Sequence, residues 1–120
     1  MKNILFIILF LSSSVFALSP QIEFSDSSID FGSIEIGEEE SLSLEIRNIS
    51  NSNLEINNIW FFGDAEFDYY ESCEGILMPG EDCSIEILFI PTSYDDFYAE
   101  LSIEYNDEFE ENIDVIGEGE

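Results

Sequence analysis

Cys83-Ser84-Ile85-Glu86-Ile87-Leu88-Phe89 alternates strictly at its odd positions, putting Cys83, Ile85, Ile87 and Phe89 on one face and Ser84 and Glu86 on the other. A period of two is that of a β-strand, whose successive side chains point to opposite sides of a sheet. Pro91 ends this strand, because proline has no N–H to give to a ladder. Working outward, the same period recurs almost everywhere. Ile22 and Phe24, then Ile29 and Phe31, then Ile34 and Ile36 alternate with polar residues before Gly37 turns the chain. Leu42, Leu44 and Ile46 share one face, and Ile49-Ser50-Asn51-Ser52-Asn53 reads as a turn. Leu54-Glu55-Ile56 restarts a strand that runs to Phe62, and Gly63-Asp64 breaks it. Residues 65–70 form a shorter, weaker candidate. Residues 98–105 alternate again, Asn106-Asp107 turns, and residues 109–116 close the domain.

No window after residue 17 carries a helical stripe. The expected fold class is therefore all-β, an antiparallel β-sandwich of seven to eight strands with one apolar and one polar face per strand. The polar faces are mostly Glu, Asp and Ser, so most of the negative charge reads as solvated exterior.

The first residues, MKNILFIILFLSSSVFALSP, carry one basic residue, an apolar run from Ile4 to Leu11 and small residues ending at Ala17. This is the pattern of a secretory signal peptide cleaved after Ala17. The run is short of the roughly 20 residues a membrane-spanning helix needs. Residues 18–120 then form one domain, too short for two cores. They hold all 28 acidic residues and a single basic one, Arg47. Regularly spaced Ile, Leu, Phe and Tyr separate this chain from disordered acidic tails. With so little Lys and Arg, nucleic acid and anionic membrane surfaces are excluded as partners.

Cys73 and Cys83, the only two cysteines, flank a Pro79-Gly80 turn. In an exported chain a lone pair is expected to be a disulfide. Zinc would need two further ligands where there is no His, and a redox pair would want the Cys-x-x-Cys spacing. The predicted localisation is accordingly periplasmic or extracellular.

In series, the residues resemble the immunoglobulin-like ASH domains, relatives of the major sperm protein fold, in particular the exported bacterial versions of "choice-of-anchor D" proteins. The resemblance rests on Phe31-Gly32-Ser33-Ile34-Glu35-Ile36-Gly37, Arg47-Asn48, Leu54-Glu55-Ile56 and Gly63-Asp64-Ala65-Glu66-Phe67. It continues through Cys73, Leu77-Met78-Pro79-Gly80-Glu81-Asp82-Cys83, Phe89-Ile90-Pro91, Ala99-Glu100-Leu101-Ser102-Ile103 and the terminal Gly117-Glu118-Gly119. It implies a non-catalytic structural or protein-binding module of a surface or periplasmic protein. Two departures stand out: Thr92-Ser93-Tyr94-Asp95-Asp96 where the family has a glycine turn, and carboxylates in place of a Thr-rich exterior.

Without His, and with Lys2 inside the leader, general acid–base and nucleophilic machinery is scarce, so no enzyme is expected. No cofactor is expected either. Ca²⁺ is the one metal whose oxygen-only ligation the chain suits, with Asp95, Asp96, Asp107 and Glu108 as candidates in loops that lack the Ca²⁺-loop motif. The cluster Trp60-Phe61-Phe62 must divide between core and surface, because neighbours on a strand face opposite ways. For a protein partner the expected contact is the weak strand at 65–70, with Phe67, Tyr69 and Tyr70 in reach and strand addition as the mode. A Ca²⁺-dependent adhesion module and a chaperone-like strand donor or acceptor are the alternatives, with a carboxylate hydrolase behind them. The chain is expected as a monomer or as part of a larger surface assembly. Asn48-Ile49-Ser50 also matches an N-glycosylation acceptor.

Overall fold

A computed structural model of the chain describes residues 21–120; the predicted signal peptide at 1–17 lies outside them. Nine strands follow one another: β1 Ile22–Phe24, β2 Ser28–Ile34, β3 Glu40–Asn48, β4 Leu54–Gly63, β5 Phe67–Glu71, β6 Gly75–Leu77, β7 Asp82–Phe89, β8 Asp96–Tyr105 and β9 Phe109–Gly119. They build two sheets, one of four strands in the order β1-β3-β7-β5 and one of five in the order β2-β9-β8-β4-β6. The all-β sandwich is as the alternation predicts. The count exceeds seven to eight partly because β6 sits inside the cysteine loop, where three residues offer no alternation to read.

The first strand changes sheets. β1 pairs antiparallel with β3, and after residues 25–27 the chain enters the other sheet, where β2 runs parallel to β9. A bulge between Asp30 and Ser33 interrupts that parallel ladder, and Gly32 occupies it with φ of 67°. The ladder then continues through Glu120, whose N–H donates to Ile34 C=O and whose C=O accepts from Ile36 N–H.

The core lies between the sheets and is fed by the alternation. Leu44, Ile46, Ile85, Ile87, Phe89, Leu101, Ile103, Ile113 and Val115 are fully buried. Phe89 is its aromatic centre, stacked on Phe67 with ring centroids 4.7 Å apart and meeting Phe31 at 5.4 Å and Phe97 at 5.7 Å. Offset and edge-on aromatic pairs add about 0.5–1.5 kcal/mol each beyond the area they bury.

Cys73 and Cys83 form a disulfide with Cα atoms 5.2 Å apart. Between them, Met78-Pro79-Gly80-Glu81 makes a turn closed by Glu81 N–H to Met78 C=O at 3.0 Å. Gly80 supplies the positive φ, 84°, that the second central residue of a type II turn requires. Asn48 ties this loop to the sheet from within: its main chain donates to Glu81 C=O and accepts from Gly80 N–H. Its buried side chain donates to Leu77 C=O and Ser52 C=O and accepts from Ser50. The sequon at Asn48 is thus spent internally, since a fully buried, doubly donating amide offers nothing to a glycosyl transfer.

Candidate functional site

β5 is an edge of the four-stranded sheet, as read from its shortness in the sequence. Glu66 C=O accepts from Ile90 N–H and Ser72 N–H donates to Ser84 C=O. Antiparallel alternation between those two points turns the main chain of Phe67, Tyr69 and Glu71 away from β7, toward the open side. That edge is partly closed from within the chain. Phe67 N–H bonds to Asp64 C=O at 3.2 Å, and Tyr69 N–H to the Asp68 carboxylate at 2.8 Å. A side chain folded back on an edge donor discourages uninvited strand pairing.

The three candidate contact residues separate. Phe67 is a core residue, packed on Phe89 and Phe31 and so closed to a partner. Tyr69 is half-buried, stacked on Phe61 at 5.2 Å, where it seals the gap between the two sheets. Only Tyr70 is open, 61% exposed on the outside of the four-stranded sheet. Beside it, Leu88, Ile90, Glu39 and Thr92 line a shallow hollow of about 480 Å³, with the Thr92 hydroxyl donating to Glu66. Next to β5, residues 57–63 of β4 have β8 on one side and no strand on the other, because β6 reaches only Leu54 to Ile56. The two free edges thus make one open flank.

The outer face of the five-stranded sheet holds the aromatic residues the sequence could not apportion. Phe61 points inward, while Trp60 and Phe62 are 44% and 56% exposed. On the neighbouring strand the Tyr98 hydroxyl donates to Asp114 at 2.9 Å and lies 3.5 Å from Glu100. The hydrogen bond to Asp114, then desolvation and the charges of Asp114 and Glu100, push this phenol up to about 12. Tyr105, at the far end of β8, is also raised, first by burial and then by the charge of Glu111. No residue-type signal marked Tyr98 in advance; only the strand register brings it onto these carboxylates.

The four Ca²⁺ candidates do not converge. Asp95 and Asp96 stand at the start of β8, whereas Asp107 and Glu108 lie in the turn at its other end. The ten residues between those ends span roughly 30 Å. Among the described residues no group of three or more His, Cys, Asp or Glu is disposed to hold a metal, and no helix is long and apolar enough to cross a membrane.

Among solved structures, the fold is similar to the secreted serine protease VesC of Vibrio cholerae, with a TM-score of 0.66 and 17% identity over 88% of this chain and 24% of that one. It is similar to an ASH/PapD-like domain of human CEP192, with a TM-score of 0.61 and 17% identity over 85% of this chain and 87% of that one. The periplasmic chaperone SfaE matches with a TM-score of 0.59 and 11% identity, over 83% of this chain and 57% of that one. At such identities the likeness is one of fold. The chain spans about a quarter of the length of VesC. No curated protein matches it by sequence. The model of the HYDIN/CFA65/VesB-like Ig-like domain matches residues 20–118. With the switched first strand, the two-sheet core and a match of that length, the chain belongs to the HYDIN/CFA65/VesB-like family of immunoglobulin-like domains.

Proposed function

We propose that this chain is an exported, non-catalytic interaction module that captures a protein partner by strand addition along β5. The observation that carries the reading is the open edge, where the main chain of Phe67, Tyr69 and Glu71 faces away from β7 with exposed Tyr70 beside it. A partner strand gains main-chain hydrogen bonds there and side-chain specificity from Tyr70 and the Leu88/Ile90 hollow. To enter, it must displace the Asp68 carboxylate from Tyr69 N–H, so the edge admits a well-matched strand and turns others away. The acidic surface works in the same direction, since copies of this chain repel one another while a less acidic strand is admitted. Export with a mature form beginning at Leu18, and kinship with the surface "choice-of-anchor D" type, belong to the same reading. The disulfide and the likeness to secreted VesC support export.

The test is capture of the partner from the exported fraction of the native source. Tyr70→Ser should lower affinity about fivefold or more, roughly 1 kcal/mol, while leaving the melting temperature unchanged. Binding should also protect the Tyr69 amide from hydrogen exchange. Unchanged capture together with an unprotected Tyr69 amide would overturn strand addition at β5.

A further inference from the structure

A second surface lies on the opposite side of the molecule from the β5 hollow. On the outer face of the five-stranded sheet the register sets Trp60 opposite Ser102 and Phe62 opposite Glu100. It continues Ser102 to Asn112, Glu100 to Asp114 and Tyr98 to Ile116, and Ile116 to Asp30. Trp60, Phe62, Tyr98 and Ile116 therefore make a diagonal apolar stripe across three strands, each between 42% and 56% exposed. Neighbouring strands are about 4.8 Å apart and same-face residues along a strand about 6.5–7 Å, so Phe62, Tyr98 and Ile116 each have a carboxylate within one step of the grid, and Trp60 has Glu100 on its diagonal.

Among the described residues these carboxylates have no cation of their own. Lys2 and Arg47 are the only basic residues of the chain, and Arg47 sits on β3 of the other sheet, 3.5 Å from Asp82. Beneath the stripe, buried Ser102 donates to Asn112 at 2.7 Å, and Tyr98 donates to Asp114, which holds the polar members of the grid in place. The result is an aromatic surface interleaved with fixed negative charge that no cation among the described residues pairs.

We infer that this face binds an Arg- or Lys-rich segment of a partner protein. Charge complementarity selects the occupant. Anionic polymers are repelled, and a second copy of this chain would bring a net charge of −26 against the same sign. A guanidinium, by contrast, stacks on Trp60, Phe62 or Tyr98 while its N–H groups reach Glu100 or Asp114, two interactions that the alternating grid offers side by side. An extended basic segment has the strand-like spacing to repeat that contact along the stripe. Trp60 and Phe62 border the open flank beside β5, but Glu100 and Asp114 lie on β8 and β9 away from it, so substitutions there test this face without touching the β5 edge.

Trp60 is the only tryptophan of the chain and an exposed member of the stripe, on the diagonal from Glu100, which makes its emission the readout. Titration with a hexa-arginine peptide at about 0.15 M salt, where long-range attraction is largely screened, should change that emission saturably. Glu100→Gln combined with Asp114→Asn should weaken binding at least tenfold, while Glu38→Gln with Glu39→Gln, the same charge change in the β2–β3 loop, should leave it nearly unaltered. Equal weakening by both pairs would show that charge alone attracts the peptide and would overturn the site. So would a silent Trp60, or a saturable response to a neutral glucan oligosaccharide and none to the arginine peptide.

Discussion

A Cβ placed on Gly117 would lie 2.5 Å from Cε2 of the Phe89 ring and 2.8 Å from its Cζ. The last strand therefore packs its bare backbone against the aromatic centre of the core, closer than any side chain allows. Gly117→Ala should cost about 1–3 kcal/mol as the ring is forced from its stack on Phe67. Urea unfolding checks this, and adding Phe89→Leu should return part of the loss by opening space under the new methyl. A neutral Gly117→Ala would show that the contact is loose.

The Cys73–Cys83 bridge closes a loop with a sequence separation of 10. In the chain-entropy account, replacing both cysteines by alanine should lower stability by about 2.5–3 kcal/mol. The same unfolding midpoint should appear when the unaltered protein is measured under reducing conditions. A reductant that leaves the midpoint untouched would contradict the bridge's contribution.

Alkaline pH should expose the Tyr98–Asp114 pairing. The phenol rises from its ordinary 10.0 to about 12 in the folded chain, so in that interval the unfolded state loses its proton first. The contribution of Tyr98 is complete below pH 10 and is lost as pH climbs through about 12. Stability of the unaltered protein should fall across this window more steeply than that of Tyr98→Phe, measured by urea midpoints at each pH. Parallel curves would remove the pairing as the cause.

Asp68→Ala should unmask the β5 edge. Without the carboxylate at 2.8 Å, Tyr69 N–H is free to pair. At about 0.5 M salt, where repulsion between copies is screened, sedimentation velocity should find more self-association in this variant than in the unaltered chain. Identical distributions would mean that the carboxylate does not guard the edge.

The strands most open to reading were those buried on one face. β7 places Cys83, Ile85, Ile87 and Phe89 inward as its alternation dictates, because a single buried face imposes a period of two. Trp60-Phe61-Phe62 defeats that logic: three aromatics in succession carry no alternation, and only the stack of Phe61 on Tyr69 decides which side is core. Asn48 looked like a glycan acceptor because its burial and its bond to Leu77 C=O arise only when the distant cysteine loop folds onto it, while its bonds to Ser50 and Ser52 are local. Nothing near Gly117 in the sequence foretells its contact with Phe89, since close approach of a distant ring leaves no mark on neighbouring residues. At the candidate edge, position was legible from the brevity of β5, but the burial of Phe67 was not. A five-residue strand supplies too few positions to say which side packs.

The parallel pairing of β2 with β9 also governs how the domain meets a mechanical load. Tension drawing the N-terminal end of β2 and the C-terminal end of β9 apart runs along both strands, so the rungs from Ser28↔Asp114 to Asp30↔Ile116 are sheared together instead of peeled one by one. The bulge around Gly32 splits this clamp in two, with Ser33↔Glu118 and Ile34↔Gly119 forming the second part. An Ig-like domain clamped in this way yields abruptly under traction and holds its shape until then.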